Sequence, residues 1–186
     1  MRDAAVLPFK LKKTVVLVGM MGSGKTAIGT ALAGRLGVPF LDSDAEIVAA
    51  SNMSIAEIFT RDGEAFFREK ESQVIERLLS GTPGILSTGG GAFLQPQNQA
   101  LIAEKGISLW LRADLDLLWS RVRHKTTRPL LMTDNPYQTL KAIFEERDPI
   151  YAQAQIAVDA HTSYSIETMT DHVIAALLER PDILEA

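Results

Sequence analysis

Short apolar runs alternate with longer segments of helical periodicity along this chain of 186 residues. The runs are rich in β-branched residues and predict buried strands, at Thr14–Val18, Val38–Leu41, Ile85–Ser87, Ile107–Leu111 and Ile156–Val158. Apolar residues at helical spacing recur near residues 25–36, 44–50, 54–61, 63–80, 97–105, 114–123, 136–147 and 165–179. Strands that alternate with helices in this way predict an α/β protein, with a parallel sheet covered by helices on both faces.

Local signals at the ends of the helical segments support these boundaries. Gly37 suits a helix C-cap, and the stretch Ser54–Glu57 has the spacing of a capping box. Pro136 suits a first helical turn. Residues 1–12 show no comparable pattern, so we expect a loose N-terminal extension followed by a single domain at 13–186.

Composition limits the classes of function that the chain can have. Hydrophobic residues make up 46% and charged residues 23% of the chain, which is typical of a globular protein with one core. The net charge of −4 argues against a nucleic-acid partner, and no apolar stretch has the length of a membrane span. The absence of cysteine excludes disulfides and thiolate chemistry. We therefore expect a cytoplasmic, monomeric enzyme with neither nucleic-acid nor membrane partners.

The segment Gly19–Thr26, "GMMGSGKT", carries the phosphate-loop pattern between a predicted strand and a predicted helix. Glycines let the backbone curl so that its N–H groups point at phosphate oxygens, above the positive end of the helix dipole. In this pattern Lys25 reaches the β- and γ-phosphates, and the Thr26 hydroxyl is a Mg²⁺ ligand. A turn that merely needs glycine is the alternative, but motif and flanks together favour the binding of ATP or GTP.

Two aspartates follow the second predicted strand, at the edge where a parallel sheet binds its ligands. In an extended chain Asp42 and Asp44 would share a face. One could then hold the hydration shell of Mg²⁺, and the other could accept a proton from an attacking hydroxyl. The alternative is that one of them, Asp44 in particular, caps the next helix.

Three consecutive glycines, Gly89–Gly91, follow the third predicted strand. Such a run costs conformational entropy on folding, and it indicates a place where backbone N–H groups approach a ligand closely. A tight turn that needs positive φ is the alternative explanation.

Arginines supply the remaining candidate chemistry. Arg68 lies beside two phenylalanines, and it either offers a bidentate fork to an anionic substrate or belongs to an exposed, ion-paired helix face. The basic stretch that ends at Arg128 is either a lid over the transferring phosphoryl group or a solvated loop. Arg147 has acidic neighbours that could orient it toward the site or hold it in a surface ion pair.

In this order, the features resemble the shikimate kinase family: the phosphate loop, Asp-x-Asp, "FR", Gly-Gly-Gly, "RPLL" and "ERDPIY". The resemblance extends over nearly the whole chain, from residue 13 to residue 180. It implies a three-layer P-loop kinase fold with a five-stranded parallel sheet, a lid at 123–135 and a substrate-binding helical region. It also implies Mg²⁺-dependent transfer of the ATP γ-phosphate to the 3-hydroxyl of shikimate, on the pathway to chorismate and the aromatic amino acids.

The resemblance assigns roles to individual residues. The catalytic residues would be Asp44, Lys25 and Arg128. The nucleotide would contact Gly22, Ser23, Gly24, Lys25, Thr26, Ala27, Arg121 and Arg128. Shikimate would contact Asp44, Arg68, Gly89, Gly90, Gly91 and Arg147. Thr26 and Asp42, the latter through water, would hold Mg²⁺.

Two features depart from the pattern of the family. The segment "DAHTSYS" lacks the proline that is frequent in the adenine loop, so the adenine contacts near His161 and Thr162 stay open, and residues 1–12 lie outside the resemblance. Two other functions remain as alternatives. A kinase for gluconate or a nucleotide would not need the triple glycine and the paired arginines. A nucleotide-dependent switch would not need the full set of catalytic residues Lys25, Thr26, Asp42, Asp44 and Arg128.

Overall fold

The computed structural model of the chain describes residues 9–124 and 129–186. Its strands are β1 (Lys10–Leu11), β2 (Thr14–Val18), β3 (Phe40–Asp42), β4 (Ile85–Ser87), β5 (Gly106–Arg112), β6 (Ile156–Asp159) and β7 (Leu184–Glu185). Its helices are α1 (Lys25–Leu36), α2 (Ser43–Ser51), α3 (Ile55–Asp62), α4 (Glu64–Leu79), α5 (Pro96–Lys105), α6 (Leu115–Val122), α7 (Pro136–Tyr151) and α8 (Ile166–Leu178). Short 3₁₀ turns lie at Ala92–Leu94 and Pro129–Leu131. Within the described ranges, none of the helices combines the length and the apolar character needed to cross a membrane.

Five strands form one parallel sheet in the spatial order β3–β4–β2–β5–β6. The central strand β2 is entirely buried, and Val15, Val16 and Leu17 have no exposed surface. Helix α1 packs on β4 and on α8, whereas α5 packs on β5 and on α4. Because helices cover the sheet in these two groups, its three central strands β4, β2 and β5 are buried almost throughout rather than at alternate residues. The predicted five-stranded parallel sheet flanked by helices is confirmed.

Most predicted element boundaries agree with the structure to within two residues. Gly37 ends α1 in the left-handed conformation at φ 65°, and the Ser54 hydroxyl accepts a hydrogen bond from the Glu57 N–H at 3.1 Å as the N-cap of α3. The second strand begins at Phe40 rather than at Val38. Pro39 has no N–H to donate to the sheet, and only its carbonyl takes part, as the acceptor from Ile85 at 2.9 Å.

The prediction of a loose extension at residues 1–12 is wrong for its last part. Strand β1 pairs antiparallel with β7, and the Lys12 N–H donates to the Ile183 carbonyl at 2.7 Å. Leu184 in β7 is 1% exposed, so the pairing adds to the core. The pairing partner lies at the far end of the chain, which is why no local pattern indicated it; residues 1–8 lie outside the described part.

Helix α7 also differs from its prediction. The apolar pattern ended near residue 147, but the helix continues to Tyr151 with Pro149 inside its last turn. A proline removes one intrahelical hydrogen bond, and near a helix end few turns remain for it to disrupt. The extension matters because it carries Tyr151 to the glycine loop that follows β4.

Candidate active site

A cavity of about 650 Å³ lies at the carboxyl ends of the parallel strands. The phosphate loop after β2, the aspartates at the end of β3 and the first two glycines after β4, Gly89 and Gly90, line it. Arg121 of α6 and the segment between β6 and α8 close the remaining sides. The topology therefore gathers the segments that the sequence analysis singled out, since the ends of parallel strands meet at one edge.

The phosphate loop adopts a conformation that needs glycine. Gly22 and Gly24 have φ of 83° and 95°, which side chains rarely tolerate. A Cβ atom on Gly22 would also lie 2.8 Å from Val122 Cγ1 of α6. Lys25 Nζ donates to the carbonyl of Gly19 at 2.6 Å and thereby braces the loop across its opening.

The predicted nucleotide contacts mostly line this part of the cavity. They are Gly22, Ser23, Gly24, Lys25, Thr26, Ala27 and Arg121. Arg121 Nη1 donates to the Gly22 carbonyl at 2.9 Å, and burial lowers the pKa of its guanidinium. Arg128, the predicted lid arginine, lies outside the described residues.

Asp42 and Asp44 both line the cavity, but not as an extended pair. Asp42 is the N-cap of α2, and its Oδ1 accepts from the Ala45 N–H at 3.0 Å. The helix starts directly after it, so Asp44 lies in the first helical turn. The extended geometry expected for the pair is therefore wrong, and the capping aspartate is Asp42 rather than Asp44.

The Asp44 carboxylate lies among charges. Burial raises its pKa above the ordinary value of 3.8, and the nearby Asp42 raises it further. Arg68 and Lys25 act in the opposite direction without cancelling these effects. A carboxylate with a raised pKa holds a proton more readily than a free aspartate does, which suits a group that accepts one during a reaction.

The triple glycine is packed against three candidate side chains. A Cβ atom built on each glycine would meet a different one: on Gly89, Asp44 Oδ1 at 2.8 Å; on Gly90, Arg147 Nη1 at 3.3 Å; on Gly91, Arg68 Nη2 at 2.5 Å. None of the three has a positive φ. Close approach thus explains the glycines here, and the alternative of a turn that needs positive φ is wrong.

Arg68 is part of a partly buried ion pair on α4. Its Nη1 donates to Glu71 Oε1 at 2.9 Å, and the Glu71 side chain is 1% exposed. Burial raises the pKa of Glu71, and the hydrogen bond from Arg68 lowers it. The alternative of an exposed ion-paired face is therefore wrong for this pair. Helical periodicity around Ser72 and Ile75 would have placed Glu71 on the buried side.

Arg147 lies on α7 beside Tyr151, a residue that the sequence analysis did not single out. The Tyr151 hydroxyl donates to the Gly90 carbonyl at 2.7 Å and so holds the middle of the glycine loop. Burial raises the pKa of Tyr151, and the neighbouring Arg147 guanidinium lowers it. Tyr151 is the last residue of the motif "ERDPIY", but the motif gave it no role, and the predicted helix stopped before it.

Aromatic rings line the cavity near the start of α8. Tyr164 makes an edge contact with His161, with ring centroids 4.7 Å apart, and stacks on His172 at 4.6 Å. His161 and Tyr164 line the cavity, while Thr162 is exposed. These rings belong to the segment "DAHTSYS" and to α8, and that segment is the one that lacks the proline frequent in the adenine loop of the family.

Comparisons with known proteins agree with this geometry. The family model described as shikimate kinase matches residues 21–178. A shikimate kinase of Ruegeria pomeroyi is 64% identical over 94% of this chain and 90% of that protein. One of Cereibacter sphaeroides is 63% identical over 98% of this chain and 92% of that protein.

Solved structures give the same result. The shikimate kinase of Acinetobacter baumannii in complex with shikimate has a TM-score of 0.82 and 34% identity, and the match covers 90% of this chain and 93% of that one. A gluconokinase of Sinorhizobium meliloti has a TM-score of 0.60 at 21% identity, covering 91% of this chain and 94% of that one, and it shares the fold alone. The chain belongs to the shikimate kinase family, the ATP-dependent kinases that phosphorylate shikimate on the pathway to chorismate.

Proposed function

We propose that the cavity binds ATP along the phosphate loop and shikimate against the triple glycine, so that the γ-phosphate faces the 3-hydroxyl. The observation that carries this proposal is the triple glycine itself. Its three positions contact Asp44, Arg147 and Arg68, which come from three different helices. One loop thus lies against an acid and two guanidiniums, and the acid, Asp44, lines the same cavity as the phosphate loop.

At the substrate end, Arg68 and Arg147 would bind the shikimate carboxylate. Guanidinium groups bind carboxylates through paired, charge-assisted hydrogen bonds. Glu71 holds Arg68 from behind at 2.9 Å, which limits the loss of side-chain freedom when the ligand binds. The relative from Acinetobacter baumannii was solved in complex with shikimate, which supports a site of this kind.

Asp44 would order the hydroxyls of shikimate and accept the proton of the 3-hydroxyl as its oxygen attacks the γ-phosphorus. Its raised pKa supports this role, because the proton then passes to a less acidic group. The bond from the γ-phosphorus to the bridging oxygen breaks, and ADP leaves with the electron pair. Positioning and charge neutralisation contribute most of the rate in such transfers.

At the nucleotide end, backbone N–H groups of the phosphate loop and the dipole of α1 would bind the phosphates. Lys25, which already spans the loop opening, would donate to the β- and γ-phosphates. Arg121 would lie near the base. Arg128 is proposed as the lid arginine at the transferred phosphate, within a lid at 123–135.

The residues of the cavity fit a magnesium ion that is bound mainly by substrate and water. Magnesium prefers oxygen ligands and keeps several waters. Thr26 and Asp42 supply a hydroxyl and a carboxylate in one cavity, and the helix cap uses Asp42 Oδ1. Within the described residues no group of three or more His, Cys, Asp or Glu side chains forms a metal cage. When bound, Mg²⁺ neutralises charge on the β- and γ-phosphates.

A substrate panel tests the proposal. The chain should form ADP with shikimate and Mg²⁺, and not with gluconate or nucleoside monophosphates, and phosphorus NMR should place the new phosphate on the 3-hydroxyl. Arg68→Ala should raise the KM for shikimate at least about tenfold, because a charged hydrogen bond is lost in a dry site. Arg77→Ala, which removes an exposed arginine of the same helix, is the control. An unchanged KM in Arg68→Ala would remove Arg68 from the carboxylate site.

We also propose that the monomer is the working unit, because one chain supplies every group described above. Size-exclusion chromatography with light scattering during turnover tests this directly. The cytoplasmic location remains a prediction from composition.

A further inference from the structure

A buried amide lies behind the proposed carboxylate site. Asn98 of α5 has no exposed surface, yet it makes three polar contacts. Its Nδ2 donates to the Ala92 carbonyl at 2.9 Å and to Glu71 Oε1 at 3.4 Å. Its Oδ1 accepts from the Ser72 hydroxyl at 2.6 Å. An amide nitrogen has two hydrogens, so each acceptor can receive one of them.

The two acceptors of Asn98 belong to the two sides of the shikimate site. Ala92 directly follows the triple glycine, and Glu71 is the carboxylate that holds Arg68 at 2.9 Å. The Arg68 guanidinium in turn touches the glycine loop, at 2.5 Å from a Cβ position on Gly91. The Asn98 amide therefore bonds both to the end of the glycine loop, at Ala92, and to the carboxylate that holds Arg68.

We propose that Asn98 is a positioning residue for shikimate: it sets the distance between the glycine loop and the Arg68 guanidinium by holding the Ala92 carbonyl and the Glu71 carboxylate together. This inference rests on the proposed role of Arg68. Asn98 acts through Glu71 and Ala92 and does not touch the substrate.

Arg68 needs to be positioned accurately because its guanidinium packs tightly against Gly91 of the glycine loop. The Nε of Arg68 is buried and makes no described hydrogen bond; its one described charge contact is with the exposed Glu64 carboxylate at 3.6 Å, which is longer than the 2.9 Å contact of Nη1 with Glu71. The direction of the guanidinium therefore depends mainly on Glu71 and on contact with the loop. Small misplacements of binding groups carry large kinetic penalties, and a buried hydrogen-bonded network keeps its members in one arrangement.

The test uses Asn98→Asp, which keeps the size and the acceptor for Ser72 but replaces both donors by a carboxylate oxygen. We expect the KM for shikimate to rise about tenfold or more, whereas the KM for ATP stays within about twofold of the parent. Lowering the pH protonates the new carboxyl and restores one donor. The ratio of variant to parent KM should therefore fall toward low pH, which a merely structural defect would not produce.

Gln99→Ala is the matched control. Gln99 lies next to Asn98 and also ties α5 to this loop, because its Nε2 donates to the Phe93 carbonyl at 2.7 Å. The described contacts of Gln99 do not include Glu71. We expect its removal to lower the melting temperature and to leave the KM for shikimate unchanged. An equal rise of the KM in Gln99→Ala would overturn the proposal in favour of general anchoring of the loop.

A double-mutant cycle separates this inference from the proposed function. If Arg68→Ala leaves the KM for shikimate unchanged, the proposed function fails. If Arg68→Ala raises the KM but a folded Asn98→Asp does not, only the inference fails. When both raise it, Asn98→Asp should add less than about twofold in the Arg68→Ala background. Full additivity would also overturn the inference.

Ser72→Ala keeps the proposal testable if Asn98→Asp does not fold. The substitution removes the hydroxyl that orients the Asn98 amide at 2.6 Å and leaves the donors of Asn98 in place. We expect a rise of about three- to fivefold in the KM for shikimate, with the KM for ATP unchanged. An unchanged KM for shikimate in this folded variant would overturn the proposal.

Discussion

The proposed phosphate end of the site is built by one continuous segment, whereas the proposed shikimate end is assembled from elements far apart in the chain. The phosphate loop forms between β2 and α1 and is braced by the contact of Lys25 with the Gly19 carbonyl. At the other end, side chains from α2, α4 and α7 converge on the loop after β4. The third part, which we propose as the nucleobase wall, consists of His161, Tyr164 and His172 near the start of α8, and both of its histidine rings are exposed.

This difference determines where substitutions should be costly. The shikimate end depends on buried polar groups such as Glu71 and Tyr151, and removing a partner of a buried polar group leaves the other unsatisfied. At the proposed nucleobase wall, by contrast, water can solvate the exposed rings of His161 and His172 when the side chain that contacts them is removed. We therefore expect large effects at the glycine loop and small ones beside α8.

The largest effect should come from Asp44→Asn. Loss of the proposed proton acceptor should lower kcat about 10²- to 10⁴-fold, while the dissociation constant for ATP should change little, because the side chain lies against Gly89 of the proposed shikimate site. Steady-state kinetics and ATP titration measure the two quantities, with the exposed Asp171→Asn as the control. Equal losses in turnover and ATP affinity would instead place Asp44 with the nucleotide.

The raised pKa of Asp44 sharpens the same experiment. In the parent, kcat/KM for shikimate should decline with falling pH at values above 3.8, the ordinary pKa of an aspartate. The raised pKa in the folded state also means that the ionised carboxylate destabilises the fold at pH values above it. Asp44→Asn should therefore melt higher than the parent at neutral pH, and this gain should vanish below pH 3.8.

The second effect in size should be that of Gly91→Ala. The added methyl would lie 2.5 Å from Arg68 Nη2 and must displace the guanidinium, so the KM for shikimate should rise about tenfold or more. Gly34→Ala in α1 is the control, since its methyl meets nothing within 4 Å. That variant should gain about 0.5–1 kcal/mol of stability. Normal shikimate kinetics in Gly91→Ala would show that the close packing is not functional.

A smaller change is expected for Tyr151→Phe. The variant loses the hydrogen bond to the Gly90 carbonyl, which corresponds to about 0.5–1.5 kcal/mol. Kinetics should show a rise of a few fold in the KM for shikimate, with the KM for ATP unchanged. Tyr137→Phe, in a ring that packs on Trp119 at 5.4 Å, should change neither constant. If Tyr151→Phe raised both KM values equally, the hydroxyl would not be specific to the shikimate end.

The smallest effect should come from Tyr164→Leu. Its ring contacts lie on exposed histidines, and an apolar side chain still lines the cavity. The KM for ATP should rise by less than about threefold, and the KM for shikimate should not change. A rise beyond tenfold would show that ligand binding depends on the proposed nucleobase wall as strongly as on the proposed shikimate end.

Local patterns were sufficient for the phosphate loop and for most helix ends. Gly22, Gly24 and Lys25 act within a few residues of one another, so their spacing carries their geometry. The same local reasoning misplaced Asp44, because a cap at Asp42 starts α2 at once. It also ended α7 near residue 147, where the apolar pattern stops, although the helix continues to Tyr151.

The amino-acid sequence by itself determined the α/β class, the anion-binding loop and the order of the motifs that identify the family, since each depends on neighbours in the chain. Only the tertiary structure decided which glycine faces which side chain, that Glu71 is buried behind Arg68, and that β1 pairs with β7. These contacts join segments far apart in the chain. Burial and close packing act between such segments, and a local sequence pattern does not specify how close two distant segments lie in the folded chain.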